Sequence, residues 1–200
     1  VRNGLTVVTD PHDGKSIGIR PPRLKADVVL ISHDHYDHNA VRVIKGDHAE
    51  LSFKEGSFCV NGLQVDGHKT YHDDSEGTKR GTNIVYRFQL DDTVFCHLGD
   101  LGHTLSDEIM EKIGEIDVLF IPIGGVTTIN SNEAKDIIDR IRPRIVVPMH
   151  YRISGLGLVL DNVETFLAGI PEELIYRVGN EIDFTRDDMI EAMEYWIFSM

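Results

Sequence analysis

Cysteine is scarce in this chain: its 200 residues include two, Cys59 and Cys96, too few for a disulfide framework. A reducing compartment suits such a chain. It does not open with a basic segment, an apolar core and a small-residue cleavage site, so a cytoplasmic location is expected. No apolar run is long enough to span a bilayer. No linker rich in glycine, serine or proline divides the chain, which reads as a single domain over 1–200. Basic residues are also in deficit. Twenty Lys and Arg face 33 Asp and Glu, for a net charge of −13. No cluster among them makes a surface for a nucleic-acid duplex. A G-x-S-x-G elbow and the Lys-Ser/Thr pattern of a phosphate loop are both missing.

Histidine, by contrast, is abundant, with ten residues. Their sequence contexts single out some of them. His33-Asp34-His35-Tyr36-Asp37-His38 follows the apolar run Val28-Val29-Leu30-Ile31 directly. Four side chains of metal-ligand type thus lie within six residues at the end of a buried strand. In extended chain His33 and His35 point to one side, and Asp37 and His38 are left for a second ion beside the first. Imidazole and carboxylate donors suit zinc or manganese, with iron and nickel as further options.

Other apolar runs also end in ligand-type residues. Strands are expected at 5–9, 27–31, 57–60, 62–71, 82–89, 93–98, 117–121, 144–148 and 173–177. Helices are expected at 107–113 after Ser106, at 132–141 after Asn130 or Ser131, and at 162–168 after Asp161. A short helix at 39–45 and a helical stripe over 186–198 complete the pattern. His72 follows the 62–71 strand and completes three imidazoles with His33 and His35. Asp100 follows the 93–98 strand through Gly99 and is placed to bridge both ions. His150 follows the 144–148 strand and joins Asp37 and His38. An echo at an offset of ninety residues, Asp10 to Asp100 and Asp27 to Asp117, suggests two related halves, roughly 1–90 and 91–180.

This ligand series resembles the metallo-β-lactamase superfamily, in which H-x-H-x-D-H is followed by a later His, a bridging Asp and a final His. The segments Arg80-Gly81-Thr82-Asn83, His97 to His103, Ile121 to Gly125 and Pro148 to Tyr151 are similar to the branch containing ascorbate-phosphate lactonase. The resemblance implies an α/β fold, a four-layer αββα sandwich with the site at one edge of its two sheets. Members of that branch usually carry a strand and a Gly-His segment ahead of the Asp-Pro loop, here Asp10-Pro11, so a first N-terminal hairpin is expected to be missing. The tail after Gly179 matches no part of the pattern.

Two adjacent divalent ions acidify a bridging water, and the resulting hydroxide is the expected nucleophile. Asp100 would fix the ion separation and Asp37 accept the proton. The expected activity is hydrolysis of an ester, lactone or phosphodiester of a small anionic metabolite. The alternative is a non-catalytic metal-binding or sensing protein on the same fold. Arg80, Tyr151, Arg152 and Thr127 are candidate substrate contacts, Arg80 and Arg152 because an anionic substrate calls for them. Asp10 and His97 are candidates to orient ligand histidines. His12 reads as a solvated loop residue, His48 and His68 as structural or surface residues, and His103 as a lid position. Asp73, Asp74 and Glu76 read as a solvated acidic loop. The partner is a small-molecule substrate, with no nucleic acid and no membrane, and nothing in the sequence opposes a homo-oligomer.

Overall fold

The computed structural model describes residues 4–199. Short apolar runs divided by turns give strands β1 (Val7–Thr9), β2 (Leu24–Lys25), β3 (Val28–Ile31), β4 (Ile44–Lys45) and β5 (Ala49–Ser52). The hairpin-forming strands β6 (Gly56–Val60), β7 (Leu63–Tyr71), β8 (Thr82–Leu90) and β9 (Thr93–His97) follow. The remainder alternates: α1 (Asp107–Ile113), β10 (Val118–Pro122), α2 (Ser131–Ile141), β11 (Ile145–Met149), α3 (Val163–Leu167), β12 (Ile175–Val178) and β13 (Glu194–Phe198). The helix starts follow their caps. Ser106 accepts from Ile109 N–H, Asn130 forms a capping box with Glu133, and Asn162, rather than Asp161, caps α3.

Two main sheets result. The smaller is parallel, in the order β1-β3-β5, and the larger has eight strands in the order β12-β13-β11-β10-β9-β8-β7-β6. The larger sheet is antiparallel from β6 to β9, where hairpins connect the strands, and parallel from β9 onward, where helices do. Val28, Leu30 and Leu51 of the small sheet pack against Leu63, Val65, Ile84, Tyr86 and Phe88 of the large one. Tyr86 also ties the sheets by polar contacts. Its buried hydroxyl lies 3.2 Å from Ile31 O and 3.1 Å from Leu51 O, and accepts from Lys54 N–H at 3.1 Å.

The opposite face of the large sheet buries Cys96, Leu119, Ile121 and Val146 against Ala134, Ile137 and Ile138 of α2 and Phe166 of α3. The outer face of the small sheet is covered differently. Ala26, Val29, Ile31 and Ile44 cluster with Val41 and Val43 of a single 3-10 turn, Val41–Val43. The helix expected over 39–45 is therefore absent. Its seven residues include three β-branched ones and end at Gly46, too little to repay helix nucleation.

The helix expected at 186–198 is also replaced. Arg186–Asp188 forms a 3-10 turn, and β13 inserts in parallel between β11 and β12. Tyr195 and Ile197 face the helices, while Trp196 joins Val118, Ile145 and Val147 on the other side. A strand buried on both faces has a continuous apolar run, which period 3.6 fits by accident. The tail thus completes the sheet, with Ile182 and Phe184 packed on the face that the small sheet leaves uncovered.

The ninety-residue echo corresponds to a repeated hydrogen-bond pattern. Asp27 N–H donates to Thr6 O, its carboxylate accepts from Thr6 N–H, and its carbonyl accepts from Ala49 N–H. Asp117 makes the same three bonds with Val94 O, Val94 N–H and Ile145 N–H. Each Asp locks the start of three adjacent parallel strands, β1-β3-β5 in one case and β9-β10-β11 in the other.

Candidate metal centre

Parallel strands deliver their C-terminal ends to one edge, so residues just past β1, β3, β9 and β11 meet there. β7, running antiparallel to β8, brings His72 to the same edge. Asp10 and His150 leave their strands in the left-handed conformation, φ 42° and 53°, which is uncommon for non-glycine residues and frequent at functional sites. Gly99 (φ 58°) lets the chain before Asp100 pass close to β3. A Cβ there would lie 2.3 Å from Asn83 Oδ1 and 2.6 Å from Ser32 Cβ.

The ligand series converges on one atom. Asp100 Oδ2 lies 3.2 Å from His72 Nε2, 3.2 Å from His150 Nε2, 3.5 Å from His38 Nε2 and 3.7 Å from His33 Nε2. His33, His72 and Asp100 are buried. His33, His35 and His72 bring one donor atom each within 4.8 Å of one another, and so do His38, Asp100 and His150. Asp37 Oδ2 lies 3.9 Å from His38 Nε2. All seven candidate ligands are thus neighbours, the four of the His33–His38 motif joined by His72, Asp100 and His150 from dozens of residues away in the chain.

The electrostatics suit cations. Burial pushes the His33 imidazole down to about 3. Burial also opposes charge on Asp100 and Asp10, yet the surrounding imidazoles outweigh it and hold both carboxyls well below the usual carboxylate range. His38 is lowered by burial but raised more strongly by Asp100, Asp10 and Asp37, to about 10. His33 Nε2 and Asp100 Oδ1 are buried with no hydrogen-bond partner among the described residues. Such orphaned donors and acceptors facing one another, all of ligand type, fit divalent metal ions.

An outer ring of contacts sets this geometry. Asp10 accepts from Ser32 N–H at 2.7 Å and Ser32 Oγ–H at 2.6 Å, and His97 Nε2 lies 2.9 Å from its Oδ2. Ser32 Oγ is also 2.8 Å from His33 Nδ1. An ionised carboxylate only accepts, so the serine proton belongs to Asp10 and Oγ accepts from His33 Nδ1–H. The Nε2 lone pair of His33 then faces the cluster, the tautomer that a metal needs. Ser32 carries no role in the sequence reading. Its position between a buried strand and the motif was the available signal. Buried Asn83 accepts from Asp100 N–H at 3.0 Å and donates to Thr70 Oγ1 and Leu98 O, both at 2.9 Å.

Asp73 departs from the expectation of a solvated acidic residue. It is buried and accepts from the N–H groups of Ser75, Gly77, Lys79 and Arg80 at 2.7–3.0 Å. Burial would raise its carboxyl, but these four donors hold it below its ordinary range. It shapes the loop that carries Arg80. His103 is held between two backbone groups. Its Nε2 accepts from Tyr71 N–H and its Nδ1 donates to Thr104 O.

Two cavities flank the cluster. One, about 410 Å³, is lined by Arg80 and Thr127 together with His35, Asp37, His72, Asp100 and His150. Arg80, an exposed residue, lines this space. The other, about 260 Å³, is lined by Tyr151 and His12 beside Asp37, His38 and His150. His12 is therefore no solvated loop residue, and its Nδ1 is buried without a partner. Tyr151 contributes its ring, since its hydroxyl donates to Phe198 O at 3.2 Å. Arg152 lies apart from both cavities, in a depression with Glu164 and Arg177. Arg152, expected as a substrate contact, lines neither cavity beside the cluster.

Comparisons with known proteins agree with this geometry. The family model described as "Beta-lactamase superfamily domain" matches residues 1–150. A UPF0173 metal-dependent hydrolase of Thermococcus onnurineus is 28% identical over 188 residues, covering 82% of this chain and 80% of the relative. A UPF0173 protein of Pyrococcus furiosus is 32% identical, covering 74% and 76%. Among solved structures, a candidate Zn-dependent hydrolase of the metallo-β-lactamase superfamily from Thermotoga maritima superposes with a TM-score of 0.81 at 36% identity. That match covers 98% of this chain and 90% of the other.

Proposed function

This chain belongs to the metallo-β-lactamase superfamily, and from that premise we propose that it is a binuclear metal-dependent hydrolase of a small anionic ester, lactone or phosphodiester. The observation that carries this reading is the convergence of four imidazole Nε2 atoms on the single buried oxygen Asp100 Oδ2. His33, His35 and His72 would hold one ion, Asp37, His38 and His150 the other, and Asp100 both. Zinc and manganese suit the donor set, and iron and nickel are compatible with it. Bound there, divalent ions supply Lewis-acid polarisation of the scissile group and water that is acidic near neutral pH.

The protein's own residues supply the rest. Asp100, positioned by Asn83, sits at the centre of both ligand groups and fixes their separation. Asp37 faces both cavities, and its Oδ2 is the atom assigned to take a proton from the attacking water. Arg80 orients the anionic part of the substrate in the larger cavity, which Thr127 also lines as a hydrogen-bonding group. Asp10 and Ser32 keep the His33 lone pair directed inward throughout.

The test is hydrolysis of a chromogenic phosphodiester and a chromogenic lactone by protein reconstituted with manganese or zinc, beside Asp100→Ala. Turnover that requires both metal and Asp100 supports the reading. Two ions bound per chain, with neither substrate turned over, would favour the non-catalytic metal-binding alternative.

A further inference from the structure

The two cavities beside the ligand cluster share Asp37, Asp100, His150, Leu158 and Leu160 as a common wall, yet they differ in chemistry. The one holding Arg80 suits charge. The other joins the cluster side chains, Asp10, His97, Thr9 and His12 to an apolar wall of Ile17, Met149, Ile153, Leu156, Leu158, Leu160 and the Tyr151 ring. This chamber is built by specific contacts. Its roof, residues 153–160, is tied to the 15–17 turn by Gly157 N–H to Ile17 O at 2.9 Å. It is anchored at its end by Arg152 N–H to Asp161 O at 2.8 Å and by Asp161 N–H to Gly124 O at 3.0 Å.

A second observation points the same way. Tyr36, Val126 and Val159 are 59%, 59% and 80% exposed, and all three rim the larger cavity. They come from three separate loops: the metal motif, the connection after β10 and the 153–160 segment. Apolar side chains gathered at a cavity mouth mark a binding surface rather than scattered exposure.

We propose that the substrate carries an apolar acyl, alkyl or aryl group next to its scissile bond, and that the chamber of Ile17, Met149, Ile153 and Leu156 receives this group. The apolar rim guides it in while Arg80 holds the anionic end. This rests on the hydrolase reading and narrows it to esters, lactones or phosphodiesters of amphipathic rather than wholly polar metabolites. A volume of about 260 Å³ has room for a short chain or a single ring.

The experiment measures binding of methyl- through octylphosphonate to the zinc-loaded protein by calorimetry, so that no turnover is needed. Affinity is expected to rise by up to about fourfold per methylene until the chamber is full, then to level off. In Leu156→Asp, with Ile153→Asp as a second variant in case the first misfolds, the increment per methylene should collapse toward unity. Affinity that is flat across the series in the wild-type protein overturns the proposal. So does failure of every phosphonate to bind, or an increment unchanged in both variants. The hydrolase reading fails separately: a normal chain-length increment without turnover of any ester, lactone or phosphodiester leaves an apolar binding chamber in a protein that is not a hydrolase.

Discussion

Replacing Ser32 by alanine isolates the outer ring of the metal centre from its ligands. The hydroxyl makes two contacts, 2.6 Å to Asp10 Oδ2 and 2.8 Å to His33 Nδ1. The consequences for its two partners differ. Asp10 keeps Ser32 N–H and His97 and is not orphaned. His33, 2% exposed, loses the acceptor of its Nδ1–H, and a buried donor left unpaired costs about 1–3 kcal/mol. For a chain of this size each kcal/mol corresponds to a fall of roughly 2–4 °C in Tm. The tautomer is no longer fixed, so the ion proposed for His33, His35 and His72 should bind about 10–100-fold more weakly. The ion proposed for Asp37, His38 and His150 should change less. Competition with a chromogenic chelator, read as two zinc affinities, separates the two sites, and thermal unfolding of the metal-free protein gives the stability term. Two zinc affinities within twofold of wild type would refute the argument that Ser32 sets the His33 tautomer.

Other outcomes follow from the same structure. Gly99→Ala should lower stability by at least about 1–2 kcal/mol, because a left-handed residue gains a Cβ that falls 2.3 Å from Asn83 Oδ1; urea unfolding measures it. Asp73→Ala removes the acceptor of four loop N–H groups and displaces Arg80, so KM for an anionic substrate should rise more than kcat falls in steady-state kinetics. A thiol reagent should label exposed Cys59 rapidly and Cys96, buried and raised to about 12, only on unfolding. Burial likewise lifts Tyr86 to about 12. Both groups stay neutral in the fold after they ionise in the unfolded chain, so the folded state binds more protons and stability falls as pH rises from about 9 toward 12. The slope is about 1.4 kcal/mol per pH unit for each group over its own window. Tyr86→Phe should flatten the slope between about 10 and 12 in denaturation curves taken across that range.

Most of the strand and helix framework was legible in the sequence because its signals are local. Ser106 and Asn130 cap α1 and α2 through their own neighbours, while α3 is capped by Asn162, one residue past the expected Asp161. The apolar runs before His33, Asp100 and His150 form strands buried on both faces, where continuous hydrophobicity is required. The misreadings occur where tertiary context outweighed local pattern. Residues 39–45 would make a helix of only about two turns, and the small sheet is covered by a 3-10 turn instead. Residues 194–198 have a helical stripe, yet a slot between β11 and β12 recruits them as a strand. Asp73 looks like part of a solvated acidic run until the chain folds around it and supplies four N–H donors.

By itself the sequence determined the donor set: H-x-H-x-D-H and the single His, Asp and His residues that end later strands. Ligand chemistry resides in side-chain identity and short spacing, and both are visible in one dimension. Only the tertiary structure decided how those donors meet. Parallel packing brings strand ends tens of residues apart to one edge, and Gly99 and Asn83 set Asp100 among four imidazoles. It alone gave Ser32 its role, set Arg152 apart from both cavities and lined an apolar cavity beside the ligands. Such features depend on which backbone groups are already satisfied and which side chains a fold leaves facing a cavity, and neither is fixed until distant segments have packed together.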